Sequence, residues 1–102
     1  MADLPIACDL SVFSPEQRQR HDELAAALLA DLSTVRELPD GYAVRVPLDA
    51  WVNAAEFVIL ERLCCPFLTF NLRLEPETDA GWLEMSGSAD IKTLLAVEFG
   101  LA

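Results

Sequence analysis

The chain has three cysteines, and thiolates are both its strongest nucleophiles and its softest ligands. Cys64 and Cys65 are adjacent, at the end of the apolar run WVNAAEFVILERLCCPF (residues 51–67). In a regular helix neighbouring side chains diverge by about 100°, too far for one ion to meet both. Pro66 changes this, because a proline disfavours the α conformation at the residue before it and lets the Cys65 thiol swing out of the helical direction. Cys64 and Cys65 are therefore candidate metal ligands, with Glu61 and Arg62 in the surrounding pocket. The closed zinc spacing is absent: there is no CxxC, and the single histidine, His21, is distant in sequence. A zinc site would need Cys8 or His21, brought in by the fold, or a second copy of the chain. Two thiols alone suit Cu(I) or Hg(II), on grounds of softness.

Two other uses of the same residues stay open. A helix C-terminus carries the negative end of the dipole, and Glu61 lies one turn before Cys65; both oppose a free thiolate, so a thiol-dependent enzyme ranks last. Free cysteine is also among the most buried residue types, so the pair can be inert core. Cys8 reads as incidental and His21, among Arg20, Asp22 and Glu23, as a surface residue. An odd cysteine count in a reducing compartment argues against a disulfide framework, and all three read first as thiols. No glycine-rich phosphate loop, nucleophile elbow or HExxH is present.

The elements that position these residues follow from pattern and punctuation. Residues 1–13 show no sustained period and read as an irregular lead that packs Leu10, Val12 and Phe13 onto a single domain spanning 14–102. Ser14, Pro15 and Gln17 form a helix start with a capping box. That helix is expected to run to about Leu32, burying Leu24, Leu28, Leu29 and Leu32. TVREL and YAVRV flank Pro39-Asp40-Gly41 as a hairpin, with Tyr42, Val44 and Val46 on one face. Asp49 is the expected N-cap of the cysteine-bearing helix. Its polar residues, Asn53, Glu56, Glu61 and Arg62, are scattered, as in a helix buried in a core or an interface.

A second hairpin pairs the strictly alternating residues 68–75 with a strand from Trp82 to Gly87, through EPETDAG. Ser88 caps a last helix with Ile91, Leu94, Leu95 and Phe99 inward and Gly100 at its end. The fold class is α+β: a two-layer sandwich of order α-β-β-α-β-β-α, a four-stranded antiparallel sheet with helices on one face. The open face would carry Arg45, Thr69, Asn71 and Arg73. Two successive α-β-β units suggest an internal repeat.

Composition sets the outer limits. The chain of 102 residues suffices for one small core, and 53% hydrophobic content favours extra burial in a homodimer. A net charge of −10 repels phosphate backbones, so no nucleic acid is expected. No apolar run approaches the roughly 18 residues of a membrane span and the first residues lack a basic leader, so no membrane partner and a cytoplasmic location are expected.

The run Glu61-Arg62-Leu63-Cys64-Cys65-Pro66-Phe67-Leu68-Thr69-Phe70 resembles a family of small bacterial proteins with an E-R-x-C-C-P-F motif, an alternating strand, a W-L strand and a final short helix. The likeness covers about residues 54–100. Some relatives occur beside mercury-resistance or MerR-type regulators, which implies a heavy-metal thiol role for Cys64 and Cys65 and carries over no reaction. The leading expectation is a small domain that binds a soft metal or senses thiol redox state through this pair. The alternative is a structural or dimerisation module with inert core cysteines.

Overall fold

The computed structural model describes residues 8–31 and 34–100. They form three α-helices and a four-stranded antiparallel sheet in the expected order α-β-β-α-β-β-α. After a short 3-10 turn at Leu10–Val12, α1 spans Pro15–Leu28. Ser14 Oγ accepts the Gln17 N–H at 3.1 Å while the Ser14 N–H donates to Gln17 Oε1 at 3.0 Å, the reciprocal bonds of a capping box. The helix ends at Leu28 rather than near Leu32. The leucine pattern outruns it because Leu29, at the C-cap, still packs against the core, and Leu32 lies outside the described residues. In the lead, Leu10 and Phe13 pack on the core, but Val12 is 48% exposed, contrary to expectation.

The first hairpin joins β1 (Arg36–Leu38) to β2 (Gly41–Pro47), and the second joins β3 (Thr69–Leu74) to β4 (Ala80–Ser86). The sheet order is β1-β2-β4-β3, with Val44 opposite Leu83 at the middle of the central pair. The two hairpins are thus placed about a local two-fold through that pair, each with its shorter strand at an edge. Both preceding helices have 14 residues, α1 and α2 (Trp51–Cys64), so the helix-hairpin repeat read from the sequence has a counterpart in topology.

Alternation sorts the sheet's faces. Val44, Val46, Leu83 and Met85 point into a core completed by Phe57, Leu60, Leu24, Ile91 and Leu95 from the helices. On the opposite face Arg45, Thr69, Asn71 and Arg73 are exposed, and the Arg36 guanidinium lies 4.0 Å from the centre of the Trp82 ring.

Asp49 is not the N-cap of α2. Leu48–Ala50 form a 3-10 turn that runs straight into the helix, the Trp51 N–H bonding the Leu48 carbonyl, and Ala50 occupies the cap position without a side-chain bond. Asp49 instead sits in the first turn of that combined segment, where its charge suits the positive end of the dipole. The helix buries Ala54, Phe57, Leu60, Glu61 and Cys64, while Val52 (80% exposed), Ile59 (65%) and Leu63 (50%) face outward. The final helix, α3 (Ala89–Glu98), is capped by Ser88, buries Ile91, Leu95 and Ala96, and is followed by Gly100 at φ 66°. Among the described residues no helix is long and apolar enough to cross a membrane.

Trp51, at the start of α2, lies against Gly81 of β4, fixing the helix on the sheet. A Cβ at Gly81 would meet the Trp51 ring at 2.6 Å and the Arg73 carbonyl across the strand pair, and the carbonyl cannot retreat without opening the sheet. Gly81→Ala is therefore expected to lower the free energy of unfolding by about 1–3 kcal/mol in urea denaturation, the cost of overpacking a closed site.

Candidate functional site: a buried cysteine cluster at the end of α2

The last turn of α2 turns Glu61 and Cys64, three residues apart, toward the core, where they are 2% and 1% exposed. Cys65 is the C-cap: its N–H still bonds the Glu61 carbonyl at 2.8 Å, but its backbone has left the helix at φ −129° and ψ 67°, outside the α region that the following Pro66 disfavours. That departure brings the two sulfurs to 3.5 Å from each other. The lead then runs past the helix end, where the Asp9 N–H donates to the Cys64 carbonyl at 2.8 Å, one of the carbonyls a helix terminus leaves without a partner.

This contact delivers Cys8, which forms a disulfide with Cys65 across 57 residues of chain, with the Cα atoms 4.7 Å apart. The expectation of three thiols is corrected here. Cys8 is bonded rather than incidental, and the odd count leaves Cys64 as the free, buried thiol. The Sγ atoms of Cys8, Cys64 and Cys65 and a carboxylate oxygen of Glu61 all lie within 4.8 Å of one another.

His21 is the second correction. It is 8% exposed, its ring between Phe13 (centroids 5.1 Å apart) and Phe57 (5.6 Å), with Nε2 2.5 Å from Glu61 Oε2 and Nδ1 3.2 Å from Asp22 Oδ1. A signal was available, since His21 stands one turn before Leu24 and two before Leu28, on the stripe α1 turns inward. The histidine therefore stands behind Glu61 rather than among the sulfurs. Glu61 bridges the two, its other oxygen 3.3 Å from Cys65 Sγ; because Cys65 is in the disulfide, no S–H lies between them. Arg62 is exposed and makes no ion pair with another described residue, so Glu61 is partnered by His21 instead.

Burial raises the Glu61 carboxyl above its ordinary value of 4.5, against the opposing pull of His21. The Cys64 thiol is pushed up to about 12, first by burial and then by the nearby charge of Glu61. The shift at Cys64 agrees with the expectation that this helix end opposes a free thiolate. A cleft of about 300 Å³ reaches the cluster from outside, lined by Cys8, Leu10, His21, Leu29, Glu61 and Glu98. Glu98, from α3, is a member of the site that no sequence pattern marked.

Neither a protein-family model, nor a curated protein, nor a solved structure matches this chain.

Two measurements check the electrostatics. With the disulfide intact at pH 8, a thiol at about 12 holds about 1,000-fold less thiolate than one at its ordinary 9.0, so native Cys64 should be alkylated by iodoacetamide at least that much more slowly than in urea. For Glu61, the folded state retains a proton above pH 4.5 that the unfolded chain has lost, so this group's contribution to stability falls as pH rises through that window. Glu61→Gln removes the term, and its stability relative to wild type should improve steadily above pH 4.5 in urea titrations.

Proposed function

We propose that the chain binds one thiophilic metal or metalloid ion through Cys8, Cys64 and Cys65 when these are reduced, and that the Cys8–Cys65 disulfide is the oxidised form from which the ion is excluded. The observation that carries this reading is the convergence of all three cysteines with Glu61, their donor atoms within 4.8 Å of one another, Cys64, Cys65 and Glu61 buried and Cys8 half-buried. Around a tetrahedral ion with metal–sulfur bonds of about 2.3 Å, donors stand about 3.8 Å apart, a spacing these side chains reach by small rotations. Cys8, rather than His21, is the ligand that completes the vicinal pair. Glu61 offers an oxygen as a fourth donor, held in orientation by His21 as ligating groups commonly are by an outer partner.

Zn(II), Cu(I) and Hg(II) are the ions that the donor set suits by softness and number. The resemblance of residues 61–70 to the E-R-x-C-C-P-F proteins supports a heavy-metal or thiol role in the same direction. A reducing, cytoplasmic setting follows from the need to open the disulfide.

A second reading has its own observation. The outward stripe Val52, Ile59 and Leu63 on α2 lies on one side of the helix at helical spacing and supports a homodimer through that helix, with the cysteines as core.

Native mass spectrometry of reduced protein with Zn(II), Cu(I) and Hg(II) tests the first reading. One ion per chain is expected, with uptake lost in Cys8→Ser, Cys64→Ser and Cys65→Ser. Equal uptake by wild type and by the Cys64→Ser, Cys65→Ser double variant would show that the cysteines are packing only. The second reading is checked by sedimentation velocity: a dimer that Ile59→Glu converts to monomer is expected, and a wild-type monomer contradicts it.

A further inference from the structure

Resting on the proposed reading of this cluster as a thiophilic-ion site, we infer from its charge balance that the preferred ligand is a neutral trivalent metalloid hydroxide, arsenite or its antimony counterpart, bound by all three thiols. A divalent cation held by three thiolates and an ionised carboxylate would carry two excess negative charges into the cluster, a cost that weakens its binding relative to a neutral ligand without preventing it. No nearby arginine offsets them. On α1, Arg18 pairs with Asp22 and Arg20 with Glu56, both at the surface. On α2, Arg62 is exposed. The groups that do face the cluster are Glu61 of α2, His21 of α1 with Asp22 behind it, and Glu98 of α3; the Asp9 carboxylate of the lead turns to Ser11. His21 is the one potential cation among them, and Glu98 adds a further negative charge at the cleft.

A trivalent metalloid hydroxide avoids this penalty. The disulfide is first opened by a thiol reductant, Cys8 and Cys65 each gaining a hydrogen as two reductant thiols are oxidised to their disulfide. The three cysteine thiols then replace the three hydroxyls of As(OH)3: three As–O bonds break, three As–S bonds form, each thiol proton leaves with a hydroxide as water, and no charge changes. The product is a neutral tris-thiolate compatible with burial of Cys64 and Cys65 at 1% and 0% exposure. Three sulfurs are the number that a trigonal trivalent centre takes, and the chain provides three within reach of one another. The acidic, partly apolar cleft beside Cys8 admits an uncharged solute more readily than an anion.

Reduced protein, freed of reductant without air, is mixed with sodium arsenite and examined by native mass spectrometry beside Hg(II) and Cu(I). The expected adduct weighs one arsenic more and three hydrogens less than the chain, and is lost in each single Cys→Ser variant. Its affinity should be the same at about pH 6.5 and pH 8, whereas a cation that displaces thiol protons binds more tightly as pH rises. The wild-type mass remains decisive even for a variant that fails to fold. An adduct that keeps a hydroxyl, an adduct formed equally by Cys8→Ser, or no arsenic adduct while Hg(II) or Cu(I) binds would overturn this inference and leave the thiophilic-ion reading standing. No adduct with any of the three, nor with Zn(II), would overturn both.

Discussion

A proline directly after Cys65 denies that residue the α conformation, and the arrangement of the site follows from this restriction. Had the helix continued, the Cys65 sulfur would point about 100° away from that of Cys64. Instead the chain breaks at the C-cap, the two sulfurs come to 3.5 Å, and the Cys64 carbonyl left free by the break accepts the Asp9 N–H. One backbone event thus turns two adjacent thiols together and anchors the segment that carries the third. The disulfide then closes a loop of 57 residues, worth about 4 kcal/mol in a chain-entropy account. An ion bridging Cys8 to the vicinal pair would restore the same cross-link after reduction, so ion binding and stability should be coupled.

The pair beneath the sulfurs shows how a buried carboxyl is accommodated here. Glu61 is taken almost wholly out of water, a cost that its contact with His21 at 2.5 Å offsets in part. Phe13 and Phe57 hold the imidazole in place, so the position of Glu61 depends on the lead, α1 and α2 together. The surroundings suppress thiolate formation at Cys64. They suit a ligand that brings its own means of removing thiol protons better than a reaction that needs a standing thiolate.

The architecture was legible because local signals agreed with the global arrangement. The Ser14 capping box and the Ser88 cap appear in the structure as read, and the alternation of residues 68–75 appears as the strand Thr69–Leu74, though Leu74 at its end is 53% exposed. The departures came where long-range contact overrides local pattern. Asp49 looks like a cap until the 3-10 turn at Leu48–Ala50 runs into the helix. His21 looks like a surface residue among charged neighbours, and only the fold brings Glu61 from 40 residues away to meet it. For the site, Cys64, Cys65 and Glu61 could be picked out because they share one helical turn, with Pro66 next to them. The pairing of Cys8 with Cys65 could not, since nothing local says where an irregular lead will lie. The exposure of Arg62 was not legible for a related reason: sequence proximity to Cys64 says nothing about direction.

On the proposed reading, three cysteines from two distant parts of the chain hold one ion. X-ray absorption at the zinc edge of reduced protein carrying one equivalent of Zn(II) addresses it most directly. Three sulfur neighbours at about 2.3 Å, with a single oxygen completing the shell, are the predicted result. A shell with two or fewer sulfurs would contradict it, because Cys8 would then stand outside the site that its position beside Cys64 and Cys65 defines.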